Sequence, residues 1–288
     1  MKIRYKIALI HMLHATLALS LMSACSKMVT PFIPIFMIVF YRSLFGFICL
    51  IPYACRFPHR IRGYSKHDWS IIALRCLSGF LALGCFFYAV SQLELATAII
   101  LNYTSPIFIA LLSSYFLKEH IHIWQICLTL LALLGVYIVI EPYLHFQLWP
   151  ALIGVLSGFL TAIAYVSIRF LSGSVTNQSI VFYFTGFSTF AALLVLLPDW
   201  SWPPFQTWLP LLGVGLLAYI GQIKLTSAFL KAPAPLVSHF GYFNIVFAAL
   251  WGWLFWQEAI TGHFLLGTGI IVATGFLVRW RYGATSSS

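Results

Sequence analysis

Apolar residues along this chain do not alternate with polar ones. They run together for roughly 18 to 22 residues at a time, from one end to the other. A helix of that length crosses the ~30 Å of hydrocarbon in a bilayer. Ten such runs are predicted to span: about 7–26, 32–53, 69–91, 95–117, 122–140, 148–171, 179–198, 206–230, 235–256 and 262–281. The connections are short, and the longest, ACRFPHRIRGYSKHD, is basic and polar. None can hold a separate domain. The expected fold class is an all-α integral membrane protein of ten transmembrane helices.

Composition agrees with the pattern. Of 288 residues, 61% are hydrophobic and 8% are charged, against about 25% charged in a soluble domain. The first 26 residues have a basic start, an apolar stretch and small residues before Cys25, as a lipoprotein signal does. His11 and His14 inside the apolar stretch, and the spans that follow, argue for a retained first helix. The six cysteines form no C-x-x-C pair and no histidine is spaced to complete a zinc site. They read as small packing residues, with no metal and no cofactor expected.

Charge sets the orientation, because Lys and Arg in short loops stay cytoplasmic. With the N-terminus inside, Lys2, Arg4, Lys6, Arg56, Arg60, Arg62, Lys66, Lys118, Arg169, Lys231, Arg279 and Arg281 all face the cytoplasm, and only Lys27 falls outside. Glu94, Glu141, Asp199 and Glu258 fall in the external loops. Trp149, Trp200, Trp202, Trp208 and Trp256 mark the outer interface, and Trp69, Trp124 and Trp280 the inner one. The net charge of +10 is thus a topology signal. Spread over several loops, it gives no nucleic-acid surface, and anionic lipid of the inner leaflet is the expected contact.

The chain also repeats itself. At an offset of 139 residues, Phe116 matches Phe255, Glu119 matches Glu258, Ile121 matches Ile260, Tyr103 matches Tyr242, Phe108 matches Phe247, Ala110 matches Ala249 and Leu111 matches Leu250. The expected halves are residues 1–141 and 148–282, each of five spans, with a flexible tail at 283–288. Five is odd, so the second half enters the membrane from the opposite face. Inverted halves of this kind place a transporter's site near mid-membrane.

The turns YFLKEHI and LFWQEAI, the 5+5 halves, and the passages LELATAIILNYTSPIFIALLSSYFLKE and LKAPAPLVSHFGYFNIVFAALWGWLFWQE resemble the drug/metabolite transporter superfamily in its EamA-domain branch. Length and these passages are also similar to the branch that includes S-adenosylmethionine uptake carriers. The resemblance covers essentially the whole chain. It implies a carrier, not an enzyme, with a cavity lined by the first, third, fourth, sixth, eighth and ninth helices.

Three cations lie within spans: Arg42, Arg75 and Lys224. An intramembrane charge marks a functional site unless it snorkels to the interface. Lys224 and Arg75 lie ~9 Å from a helix end at the helical rise and can snorkel; Arg42, ~15 Å deep, cannot. The family carries an aromatic–Arg pair in its second helix across members with different substrates, so a structural role for Arg42 stays open beside binding. On the eighth span Gly221, Lys224, Ser227, Ala228 and Lys231 share one stripe. Leu216, Ile220, Ile223 and Leu230 share the opposite one, which reads as lipid-facing.

The same face logic selects His14, with His11, Ala18 and Cys25, on the first span. It selects Asn102, with Ala98, and Ser105 beside Pro106 on the fourth, and His239 and Tyr242 beside Pro235 on the ninth. Tyr103 and Tyr242 are stacking candidates and Tyr165 is a further one. Pro106, Pro235, Gly221 and Gly241 are candidate hinges. GVLSG at 154–158 has G-x-x-x-G spacing, which packs helices within one chain or between two in a homodimer.

No Asp or Glu lies deep in any span, so the cations point to a small-molecule solute with a carboxylate or phosphate rather than to an organic cation. The function expected is secondary transport of a carboxylate-bearing metabolite, such as an amino acid or S-adenosylmethionine, by alternating access in a bacterial inner membrane. The competing readings are an efflux carrier of other specificity and a membrane-embedded lipid-modifying enzyme using His59, His67, Asp68, Glu119, His120 and His122. A non-transporting subunit or channel is a third.

Overall fold

A computed structural model describes residues 2–93, 95–119, 122–140, 148–257 and 261–285. Glu94, His120, Ile121, Glu141, Glu258 and Ile260, all named above, lie outside the described residues. Among those described there is no strand. The helices are α1 (Lys2–Val29), α2 (Ile35–Arg56), the single turn α3 (His59–Arg62), α4 (Lys66–Gln92), α5 (Leu95–Asn102) and α6 (Ser105–Leu117). They continue as α7 (Ile123–Ile140), α8 (Leu148–Phe170), α9 (Asn177–Leu196), α10 (Trp208–Lys231), α11 (Ala234–His239), α12 (Phe243–Trp256) and α13 (Gly262–Thr285). Helix continues to Thr285, past the tail boundary expected at 283.

Eight stretches among the described residues are long and apolar enough to cross a membrane: Tyr5–Val29, Ile35–Arg56, Lys66–Phe86, Ala98–Leu117, Leu148–Phe170, Asn177–Asp199, Phe205–Lys231 and Ala234–Trp256. The expected fifth and tenth spans appear as the shorter apolar helices Ile123–Ile138 and Gly262–Val278. Two spans are discontinuous: α5 gives way to α6 at Tyr103–Thr104, and α11 to α12 through a turn of 3-10 helix at Phe240–Tyr242.

Local chemistry fixes the helix ends. Ser65 caps α4 reciprocally with Asp68: its hydroxyl accepts from the Asp68 amide at 3.1 Å, and Asp68 accepts from the Ser65 amide at 3.3 Å. Thr176 caps α9 by accepting from the Ser179 amide. α6 and α12 both stop at a left-handed residue that is not glycine, Lys118 (φ 52°) and Gln257 (φ 55°). That conformation costs roughly 1–2 kcal/mol for an L-residue, and it occurs at positions separated by the repeat offset.

The helices pair in a regular way. α1 lies along α10 as α8 lies along α4; α2 packs on α9 and α7 on α13; α12 packs on α1 as α5 and α6 pack on α8. Large side chains such as Leu194, Phe190, Leu216 and Ile220 point outward from this bundle, which suits a lipid surround. The interior holds small and polar residues, among them Ser20, Ser157, Ser188, Thr226 and Thr274.

Candidate functional site

Two arginines lie inside the bundle, within electrostatic reach of each other. Arg75 on α4 is 2% exposed. It turns inward rather than toward the interface it could reach by snorkelling. Its guanidinium carbon stands 4.0 Å from the centroid of the Phe184 ring on α9. The position depends on Gly79, one turn further along α4, since a Cβ there would lie 2.2 Å from Arg75 Nη1 and 2.9 Å from Phe184 Cε2. Arg42 on α2 lines a small cavity of about 10 Å³ with Ser43, Gly46, Phe184, Thr185, Tyr219 and Gln222. Phe184 therefore borders both cations.

The two guanidiniums lie within electrostatic reach of each other, and the Tyr165 phenol on α8 is within reach of both. Both Nε atoms are buried with no hydrogen-bond partner. Of the six acidic residues, Asp68, Glu119 and Asp199 are described, and all three lie at span ends; no described carboxylate faces the pair. A buried charge left unpaired is among the costliest things a fold can hold.

The second cluster sits where the two discontinuous spans cross. Tyr103 and Tyr242 stack with ring centroids 5.8 Å apart. Tyr242 donates its hydroxyl hydrogen to the Tyr103 carbonyl at 3.3 Å, and Asn244 Nδ2 donates to the Tyr103 hydroxyl at 2.7 Å. His239 is 3% exposed and edge-on to Tyr242, and neither ring nitrogen has a partner. Asn102 donates to Ser157 Oγ at 3.0 Å. Ser105 and Pro106 form the first turn of α6, where a missing amide hydrogen costs nothing. Tyr103 and Tyr165 are within electrostatic reach, so the two clusters adjoin.

The remaining candidates fall elsewhere. Lys224 is half-buried on the α1 side of α10. There it lies within electrostatic reach of His11, as does Lys231. Lys231 Nζ donates to Ser227 Oγ at 2.9 Å. Lys224 is thus separated from the arginine pair, which Gln222 reaches from the other inward side of the same helix. His14, expected to face inward, is exposed; three residues turn a helix by ~300°, which sets it about 60° round from His11, at the edge of that face. Gly221, a hinge candidate, packs on α1, where a Cβ would meet Leu19 at 2.7 Å. Gly241 lies within the 3-10 turn, and Pro235 in the first turn of α11.

GVLSG packs within the chain: a Cβ on Gly158 would lie 2.8 Å from Thr104 Oγ1 and 3.0 Å from the Asn102 carbonyl. Sequence reasoning did not select Gln222, Phe184, Thr185, Tyr219, Asn244 or Gly79 for the site. Gln222 carried a signal as a polar residue in an oily helix; Phe184 and Gly79 carried none.

At the α3 end a polar network joins four segments. Glu119, just after α6, accepts from Arg169 Nε on α8 at 2.7 Å and from the Ala234 amide at the start of α11 at 3.0 Å. Arg169 and Ser172 both donate to the Leu230 carbonyl at the end of α10.

This arrangement can be set against known proteins. The model of the EamA-like transporter family matches residues 6–141 and 148–280. The chain is 34% identical over 261 residues to the pseudopaline exporter CntI of Pseudomonas aeruginosa, covering 90% of each chain. It is 28% identical over 278 residues to an uncharacterized transporter of Helicobacter pylori, covering 92% of this chain and 91% of that one. It is also 30% identical over 180 residues to the riboflavin transporter of Vibrio cholerae, covering 62% of this chain and 60% of that protein. A solved crystal structure superposes with a TM-score of 0.80 at 16% identity, over 99% of this chain and 98% of that one, which shows a shared fold. The chain is a multi-pass transporter of the bacterial inner membrane and belongs to the EamA-like transporter family.

Proposed function

We propose that this transporter is a secondary carrier for a metabolite bearing a carboxylate or comparable acidic group, and that Arg42 and Arg75 receive that group. The observation that carries the reading is the pair itself: two cations deep in the bundle, one 2% exposed, with no described carboxylate facing them. In hydrocarbon such charges persist where a counter-charge visits them. Asn102, Tyr103, Ser105, His239 and Tyr242 form an adjoining polar and aromatic wall for the rest of the solute. The small rings and amide-bearing side chains there suit stacking and hydrogen bonding.

The chain carries ten spans as two inverted five-helix halves, 1–141 and 148–282, with both termini and α3 on the cytoplasmic side. Three features support this: the basic residues gathered at that end, the repeat-related stops at Lys118 and Gln257, and the mirrored pairings of α1 with α10 and α8 with α4. The cavity of about 10 Å³ has room for no more than about one water, so the halves have to rock apart before a metabolite enters. Transport is by alternating access, with the breaks at Tyr103–Thr104 and Phe240–Tyr242 as the yielding segments.

The relatives are named for different solutes, so the chemistry of the site has to select the substrate. S-adenosylmethionine fits poorly, because its sulfonium and ammonium would stand beside two guanidiniums. The test is counterflow in liposomes with purified protein, using labelled amino acids, acidic metabolites, S-adenosylmethionine and riboflavin, each acid beside its amide or ester. The proposal expects saturable exchange of an acid and loss of it on amidation. Exchange of neutral or cationic solutes with no acid transported would overturn it.

A further inference from the structure

Resting on the carrier reading above, we infer that the arginine pair takes two negative charges at once, so that the transported solute presents a dianionic group: two carboxylates a few bonds apart, or one phosphate monoester. The count of charges is the first reason. Arg42 and Arg75 lie within electrostatic reach of each other, and no described carboxylate stands between or beside them. A single carboxylate would leave one guanidinium buried and unpaired, and breaking a buried pair in that way is strongly unfavourable.

Geometry is the second reason. Arg75 is held in place, stacked 4.0 Å from Phe184 and lying over Gly79. Phe184 is also a wall of the Arg42 cavity, so one ring adjoins both planar forks. A guanidinium fork matches a carboxylate or phosphate edge with two hydrogen bonds, and two forks suit two acidic edges.

The other lining groups are neutral. The Ser43 and Thr185 hydroxyls and the Gln222 amide line the same cavity, and Tyr165 is within reach of both cations. They can orient a dianion without changing its charge balance. Arg42 Nε and Arg75 Nε are buried donors without partners, which an anionic group would satisfy, while the unpartnered acceptor Gln222 Oε1 calls for a water or a donor group on the solute.

The experiment compares probes of equal shape and different charge. Purified protein in detergent is titrated with N-acetylaspartate against N-acetylasparagine, and with methyl phosphate against dimethyl phosphate, following the thermal midpoint. The expected result is half-saturation at least tenfold lower for the dianion of one pair, and which pair responds tells a dicarboxylate from a phosphate. Arg42→Gln and Arg75→Gln should each bring the ratio near one, while Arg42→Lys and Arg75→Lys keep part of it; should the Gln forms not fold, the Lys forms and Gly79→Ala, which displaces Arg75, decide. Equal response to dianion and monoanion in the wild type would overturn the two-charge inference and leave the acidic-solute reading standing. No stabilisation by any of the four anions would overturn both.

Discussion

Replacing Gly79 by alanine adds one methyl group and tests how the buried cation is held. The new Cβ would lie 2.2 Å from Arg75 Nη1 and 2.9 Å from Phe184 Cε2, where ordinary contacts need about 3.5–4 Å. The guanidinium is the flexible partner, so it retreats by about 1.3 Å to restore contact distance and leaves the Phe184 ring. A desolvated cation–π contact is worth about 2 kcal/mol, and overpacking adds at least about 1 kcal/mol. Against this, alanine gains about 1 kcal/mol over glycine within a helix. The net effect is a loss of about 2 kcal/mol.

Gly84, on the same helix, is the internal control: nothing lies within 4 Å of a Cβ there, so Gly84→Ala gains about 1 kcal/mol. Thermal unfolding of both variants in detergent, with acid counterflow measured alongside, reads the difference. Gly79→Ala should melt lower and lose transport, and Gly84→Ala should melt at or above wild type and keep it. Equal midpoints and equal transport would refute the placement of Arg75.

Three further variants address the rest of the structure. Glu119→Gln removes the ion pair to Arg169 across the α3 end; if that network holds the end shut, maleimide labelling of Cys76, buried here at 5% exposure, should rise several-fold in a protein keeping only that cysteine, and unchanged labelling would show that the network does not hold it shut. Gly158→Ala forces α8 from the α5–α6 break, where two of the three nearest opposing atoms are backbone carbonyl oxygens, and should lower stability by about 1–3 kcal/mol. Light scattering should show no change in oligomeric state, since a loss of self-association would place GVLSG between copies. Lys224→Ala should leave the apparent affinity for an acidic probe within about twofold, judged against the tenfold-per-1.4 kcal/mol scale of binding. A loss as large as that of Arg75→Gln would return Lys224 to the site.

The spans were legible because hydrocarbon leaves the backbone little choice: a long apolar run must be helix. The break in the fourth span was partly legible through Pro106, although the chain turns just before it, at Tyr103–Thr104, so that the proline opens α6. The break in the ninth span has no such marker. Pro235 starts α11, and the turn at Phe240–Tyr242 is visible only in three dimensions. That Tyr103 and Tyr242, related by the repeat, stack on each other is a consequence of the fold that offset arithmetic alone does not give.

The site was legible where depth forces a conclusion and illegible where two inward faces compete. Arg42 stood out for its ~15 Å depth, whereas Arg75 and Lys224, both ~9 Å from a helix end, could not be told apart by depth. α10 packs on α1 along one side and on α2 along another, so it has two buried faces. Helical periodicity separated both from the lipid stripe of Leu216 and Ile220. It could not say which neighbour Lys224 or Gln222 would meet. Phe184 and Gly79 shape the cation site through contacts with other helices, and neither residue type announces such a role in sequence.

Gln222→Glu tests the central claim most directly, because it builds a carboxylate into the wall of the cavity that Arg42 lines. If the arginines await an anion from the solute, the new side chain supplies it. The variant should then melt higher than wild type while its exchange of acidic solute collapses. A lower melting point with transport of the acid retained would contradict the account.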